Sequence, residues 1–539
     1  LMRAEDGKLD EIRVKPYFSR MGSMQCAEFA VINVNTLKEL IVEHALCGMD
    51  YMQLYTETVY EIDGEPYFGH QRGSFSKAEL KEADAFCREN GIELIPCIQT
   101  LAHLNAIFKW QGVYGDINDT ADILLADDER TYELIDKMFA TLSQCFTSRK
   151  IHIGMDEAHM VGLGKYRDKH GDNDRFEIIN RHLHKVCSLA DKYGLEPMIW
   201  SDMYFRLANS SGDYYNTANV DNICKKADLP KNITLVYWDY YSKDYEHYLN
   251  MIDKNKALAR PVVFAGGAWT WKGFAPDNQF SFDTTLPAVK ACRDRGVKDI
   301  FFTMWGDNGG ECSRFAVLPA LCYSAELLEG NENMSDAKTR LKTVTGMEFD
   351  DFMLLDKLDN PTEKLDYNAS KYLLYCDPFM GAYDSKITCG VNGYYKELYK
   401  KLSAVQATDD YKPMFDSAAA LADVLSVKAE LGIKTRAAYL AGDTEALKNI
   451  AENDYTAAID KLKAFYTAFR RFWFFENKPH GFDIQDIRLG GLIMRLESCR
   501  ERILSYCTDK SNTIPELLEP VLENDRSKSW DNIVTANVI

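Results

Sequence analysis

Asp156 and Glu157 stand side by side in "RKIHIGMDEAHMVGLG", residues 149–164, just after a strand-like run and just before a helix. A packed core does not tolerate two unpaired carboxylates. Two acids held together push their pKa values apart, so one ionises while the other keeps a proton and can serve as a general acid. Alternation along a strand puts His152, Gly154 and Asp156 on one face. Glu157 can join them at the strand's end, because "EAHMVGLG" reads as a loop. Most adjacent acid pairs are solvated loop charges, but this one is flanked by His152 and His159. A metal site is the rival use of His152, Asp156, Glu157 and His159. The spacing matches no common ligand pattern and no cysteine joins it, so the reading is acid–base chemistry without metal or cofactor. His152 is expected to pack behind the pair and hydrogen-bond there.

A pair of this kind needs a scaffold that presents strand ends. From about Ser23 to Leu328, eight short apolar runs alternate with helical patterns: "GSMQC" (22–26), "YMQLYT" (51–56), "IELIPCI" (92–98), "KIHIG" (150–154), "EPMIWS" (196–201), "ITLVYW" (233–238), "PVVFAGG" (261–267) and "DIFFTMW" (299–305). "NTLKELIVEHALCG" reads as a helix stopped by Gly48, and "SKAELKEADAFCRENG" as one opened by a Ser76 capping box and stopped by Gly91. Eight such alternations predict an α/β fold, a (β/α)8 barrel. The alternative, an open doubly wound sheet, would more often carry a glycine-rich phosphate loop after an early strand.

Barrels of this type do their chemistry at the C-terminal strand ends. The third run delivers His103 there, the fifth Trp200 and Asp202, the sixth Trp238 and Asp239, the seventh Trp269 and Trp271, and the eighth Trp305 and Asp307. Five of the chain's eight tryptophans therefore gather at strand ends. Chance and β-propensity are the bland explanation. The sharper one is a sugar site, with aromatic faces on the pyranose and carboxylates on its hydroxyls.

The 539 residues exceed what one core usually serves. After Leu328 long helices replace the strand-like runs, and Tyr455, Ile459, Leu462, Tyr466, Phe469 and Trp473 recur on one helical stripe, with Asp443 a plausible N-cap for the preceding helix. The expected division is a lead-in over 1–21, a barrel over 22–330 and an all-α domain over 331–539. A net charge of −19 argues against nucleic acid as partner and favours a neutral or weakly polar substrate. The 14 cysteines contain no C-x-x-C pair and sit mostly in apolar runs, as in "LIPCIQT", which reads as reduced thiols in a cytoplasmic protein. The opening "LMRAEDGKLDEIRVKP" has no apolar core, and no run is long enough to span a membrane, so neither a signal peptide nor a membrane partner is expected. Self-association stays open.

"HIGMDEAH" resembles the H-x-G-x-D-E signature of glycoside hydrolase family 20, the β-N-acetylhexosaminidases. "PCIQTLAHL", "MIWSDM", "LVYWDYY", "FAGGAW" and "WGDNGGE" resemble the bacterial cytoplasmic exo-acting subgroup with a helical C-terminal domain. The resemblance extends over nearly the whole chain. It implies a retaining, substrate-assisted mechanism on terminal β-linked GlcNAc or GalNAc of a small oligosaccharide or glycoconjugate. Asp156 would orient the acetamide nitrogen, and Glu157 would protonate the leaving oxygen and then activate water. By the same resemblance His103 contacts the acid and Glu57 is that histidine's acidic partner. Trp200, Trp238 and Trp305 wall the acetamide and sugar pocket, with Trp269 also at the sugar. Asp307 binds the outer hydroxyls, and Arg20 binds O3 and O4. Relatives often carry Asp-x-x-Arg at the end of the first strand, where this chain has Gln25 and Glu28. The tyrosine expected on the acetamide carbonyl could be replaced by Tyr237 or Tyr241. The competing function is a non-catalytic sugar-binding protein on the same barrel, or a relative with altered glycosyl specificity.

Overall fold

All eight apolar runs form strands: β1 (Arg20–Cys26), β2 (Tyr51–Glu57), β3 (Glu93–Ile98), β4 (Lys150–His152), β5 (Glu196–Trp200), β6 (Thr234–Trp238), β7 (Val262–Gly267) and β8 (Asp299–Met304). The computed structural model describes residues 16–209, 212–216, 220–258, 261–362, 365, 368–523 and 531–535. Each strand pairs in parallel with its chain neighbours, and β1 pairs with β8 from Arg20 opposite Asp299 to Gln25 opposite Met304, which closes the barrel. All eight C-terminal ends therefore open on one face.

Alternation sends Met24, Tyr51, Tyr55, Ile95, Cys97, Trp200, Val236, Val263, Ala265 and Phe301 into one buried cluster. Each large apolar side chain buried in this way contributes about 1.5–3 kcal/mol. Asn33 caps the helix Val34–Leu46 by accepting from Thr36 N. Ser76 and Glu79 form the expected capping box on Lys77–Glu89. Gly48 and Gly91 follow these two helices at φ 84° and 75°.

The opposite mouth is closed by charge. Arg20 begins β1 and bonds Glu93 Oε2 at the start of β3 (2.6 Å). It also lies 3.7 Å from Asp299 Oδ2 at the start of β8 and stacks over Tyr51 at 4.6 Å. The expectation that Arg20 binds sugar hydroxyls is corrected by strand direction, since a residue that opens a strand lies a barrel's height from the C-terminal face. β1 also takes up the end of the expected 1–21 lead-in, whose residues 1–15 lie outside the described ones.

One element was not anticipated, a two-stranded ribbon of Asn118–Thr120 and Ile123–Leu124 between β3 and β4. Its Asp119 carboxylate accepts from Gly162 N (2.7 Å) and Tyr166 N (2.8 Å), which anchors the loop after Glu157.

The chain divides into two compact units: residues 1–269, 279–306 and 320–340, and residues 270–278, 307–319 and 341–539. The second unit thus takes two segments from within the expected barrel range. It is helical, with long helices Val391–Ala404, Lys412–Lys428, Thr456–Glu476 and Phe482–Thr508. On Thr456–Glu476 the buried stripe runs through Ile459, Leu462, Phe465, Phe469, Phe472 and Trp473. Tyr466 is half-buried instead, and bonds Asp486. Asp443 caps the helix Thr444–Asn449. Two buried ammonium groups here are satisfied differently: Lys371 bonds Glu311 (2.6 Å), and Lys428 donates to the backbone carbonyls of Leu373 and Cys376.

Candidate active site

Asp156 and Glu157 face the same mouth because the strand stops short of them. β4 ends at His152, and Gly154, Met155 and Glu157 take φ of 70°, 68° and 51°. Only glycine fits at 154, since a Cβ there would lie 2.1 Å from Gln99 Oε1 and 2.7 Å from Ile98 O. Gln99 passes over that bare position. Its Oε1 accepts from Met155 N (3.2 Å), and its Nε2 donates to Asp156 Oδ1 (2.7 Å) and to Tyr55 OH (3.1 Å). Glu57 at φ 43° and His103 at φ 59° are bent in the same sense at the ends of β2 and β3. Strained backbone of this kind persists where the surroundings over-determine it.

His103 stands between the acids, its Nε2 3.3 Å from Asp156 Oδ2 and 3.7 Å from Glu157 Oε2. Burial works against charging the imidazole, but Asp156, with further help from Glu57 and Glu157, outweighs it and lifts His103 to about 10. Burial pushes the Asp156 carboxyl up, yet His103 and the Gln99 amide more than reverse this and hold it below the ordinary carboxylate range. Glu157 goes the other way, raised first by burial and then by the charge on Asp156. The two neighbouring acids are thus pushed apart in pKa, the direction that a division into charged stabiliser and proton donor needs.

A third carboxyl group supports them. Asp202, after β5, accepts from Glu157 N (3.0 Å) and is hydrogen-bonded by the Trp238 side chain. Burial and then Asp156 push it up to about 8. Tyr214, in the segment 212–216, donates to Glu157 Oε1 (3.1 Å).

The aromatic wall runs across β5 to β8. Trp200 is fully buried as its floor, 4.3 Å from the His152 ring. Trp305 packs edge-on to Tyr55 (4.9 Å) and donates Nε1–H to Tyr240 OH (3.1 Å). Trp238 stacks on Tyr240 at 5.4 Å, and Trp269 donates Nε1–H to Tyr240 O. His152 lies behind the acids, fully buried and held down to about 3 by burial, with Nδ1 accepting from Gly154 N.

Other sequence candidates fall elsewhere. Glu57 accepts from Tyr55 OH (2.6 Å), and burial and then Glu28 push its carboxyl well up, which weakens any charge it offers His103. Tyr237 is buried with its hydroxyl on Asp239, whereas Tyr241 is half-exposed. Asp307 sits on an exposed turn that belongs to the second unit. Gln25 bonds the neighbouring Cys26 carbonyl, and Glu28 pairs with Arg72. Among the described residues no group of three or more His, Cys, Asp or Glu is arranged to hold a metal ion. Sequence reasoning missed Tyr55, Gln99 and Tyr214. Gln99 was within reach, because it lies in the same "CIQTLAH" that supplied His103.

Two family models match the chain: "Glycosyl hydrolase family 20, catalytic domain" over residues 11–258 and "Glycoside Hydrolase 20C C-terminal domain" over residues 350–535. Hexosaminidase D of Homo sapiens is 20% identical over 246 residues, 44% of this chain and 48% of that protein. Hexosaminidase D of Bos taurus is 23% identical over 224 residues, 39% of this chain and 59% of that protein. The chain thus spans about half the length of the curated relatives it matches. A solved GH20 β-N-acetylhexosaminidase from Streptomyces coelicolor A3(2) superposes with a TM-score of 0.45 at 16% identity, covering 61% of this chain and 68% of that one. A β-N-acetylhexosaminidase from Bacteroides fragilis gives 0.44 at 18% identity, covering 58% and 66%.

Proposed function

We propose, from the premise that this chain belongs to glycosyl hydrolase family 20, that it is an exo-β-N-acetylhexosaminidase that removes terminal β-linked GlcNAc or GalNAc with retention. One observation carries the reading: two adjacent carboxyls, Asp156 shifted down and Glu157 shifted up in pKa, are bridged by His103 and set against tryptophans.

In the first half-reaction the substrate's acetamide oxygen attacks the anomeric carbon as the glycosidic bond breaks. Glu157 gives its proton to the departing oxygen. The acetamide nitrogen gains positive character as the oxazolinium ring closes, and the Asp156 carboxylate stabilises that charge where it develops. In the second half Glu157, now a carboxylate, takes a proton from water as the water oxygen attacks the same carbon and the ring opens. His103 holds both acids in place. The tryptophan faces cover the apolar side of the sugar.

The cysteines are mostly buried and not joined in disulfides, which favours a reducing compartment, and among the described residues no helix is long and apolar enough to cross a membrane.

The test is hydrolysis of 4-nitrophenyl β-N-acetylglucosaminide beside the plain β-glucoside. Release from the first and not the second is expected, since the glucoside lacks the acetamide nucleophile. Equal release from both, or from neither, overturns the proposal.

A further inference from the structure

Glu157 is restrained at both carboxyl oxygens. Oε2 faces His103, and Oε1 takes a hydrogen bond from Tyr214. The same phenol oxygen lies 3.0 Å from His159 Nε2 and 3.3 Å from Nδ1. Its ring is fixed between the Arg206 guanidinium, 5.2 Å above it, and the Trp238 ring at 5.5 Å. Arg206 also donates to Gly212 O (2.6 Å), which ties down the segment that carries the tyrosine. A phenol has one proton to donate, and here two acceptors compete for it.

We propose that Tyr214 is a positioning residue for the general acid: its hydroxyl divides one proton between His159 and Glu157 Oε1 and follows the charge on Glu157. The inference rests on the acid role given to Glu157 above. His159 stays neutral, because burial and then Arg206 disfavour its charged form, so it keeps one bare ring nitrogen. While Glu157 holds its proton, the phenol donates to that nitrogen. Once Glu157 has passed its proton to the leaving oxygen and carries the charge, the phenol turns the same hydrogen bond to Oε1. The tyrosine O–H bond never breaks. When Glu157 takes a proton from water, the hydroxyl turns back. The groups facing Glu157 are Asp156 from its own loop, His103 after β3, Asp202 and Arg206 after β5, and Tyr214, whose hydroxyl meets His159 in turn.

The experiment compares the full chain with Tyr214→Phe and His159→Leu on two substrates, a disaccharide of β-linked N-acetylglucosamine and 4-nitrophenyl β-N-acetylglucosaminide. In Tyr214→Phe, kcat/KM on the disaccharide is expected to fall about 10- to 100-fold, the scale of a hydrogen bond to a charged group, and by less on the nitrophenyl glycoside. The alkaline limb of kcat/KM should move to higher pH, because a bond that favours the carboxylate has gone. His159→Leu leaves the phenol only Glu157 to serve, so its alkaline limb should move to lower pH. This variant still decides the matter if the phenylalanine variant does not fold. Unmoved limbs, shifts of the same sign, or equal losses on both substrates overturn the inference while wild-type turnover stands. A wild type silent on both substrates overturns the assigned activity, and this inference with it.

Discussion

His103 Nε2 lies 3.3 Å from Asp156 Oδ2, closer than to either oxygen of the neighbouring acid, so the imidazolium is first of all the partner of the ionised carboxylate. That order adds to burial and the Asp156 charge, which are the larger causes of the rise in Glu157. A cation nearer Glu157 would have stabilised its charged form and spoiled it as a donor.

Glu157→Gln should lower turnover of natural oligosaccharides by roughly 100- to 10,000-fold, the span of general acid catalysis, and spare good leaving groups more. Steady-state rates on a disaccharide and on a dinitrophenyl glycoside measure it. Equal losses on the two would remove Glu157 from the acid role.

Asp156→Asn should weaken binding of a thiazoline mimic of the cyclised intermediate by about 10- to 100-fold, since a charge-assisted hydrogen bond becomes a neutral one. Against wild type, the thiazoline should bind far more tightly than free product. Inhibition constants test both points. A 2-fluoro sugar that labels a protein carboxylate during turnover would instead require a conventional double displacement.

Asp202→Asn keeps an oxygen for Glu157 N–H, and the carboxyl it replaces is itself pushed up to about 8. Below that pH Asp202 holds its proton, so the exchange removes no charge beside Glu157. The alkaline limb of kcat/KM should therefore move by less than about 0.3 pH units, unlike that of Tyr214→Phe. A pH–rate series on the variant checks this, and a shift of a full unit would show that Asp202 is ionised in the working protein.

His103 also links pH to stability. Its folded pKa, about 10, lies above the ordinary 6.5. The stabilisation it gives is present in full below the unfolded value and lost as pH rises through the folded one. Wild-type melting temperature should thus fall between about pH 7 and 10 more steeply than that of His103→Phe. Parallel curves from scanning calorimetry would show that the imidazolium contributes nothing.

The barrel was legible because buried strands are written as short apolar runs between capped helices, and Ser76 with Glu79 or Gly91 marks such an edge with its own chemistry. The acid pair was legible for the same reason, since no core and no ordinary turn needs Asp156 beside Glu157. What the sequence hides is direction and reach. Arg20 looked like a sugar ligand until the strand's polarity placed it at the other mouth. Tyr55 read as one more apolar strand residue, although its hydroxyl joins Glu57 to Gln99 and so to Asp156. Tyr214 lies in an irregular segment with no periodic signal, and only three-dimensional proximity brings it to the acid. The split into units followed neither a single boundary nor composition, because residues 270–278 and 307–319 leave the barrel range for the helical unit.

The pairing of β1 with β8 also bears on how the protein is born. Arg20 meets Asp299 across that seam, so a chain emerging from the ribosome cannot shut its barrel until the last strand has been synthesised. Non-local closure of this kind is slow, and unpaired strand edges invite aggregation while they wait. β2 and β3 can pair early, but β1 keeps one open edge throughout that interval. Slowing translation ahead of Asp299 should lengthen the exposure and raise the demand for chaperones, without altering a single contact in the finished protein.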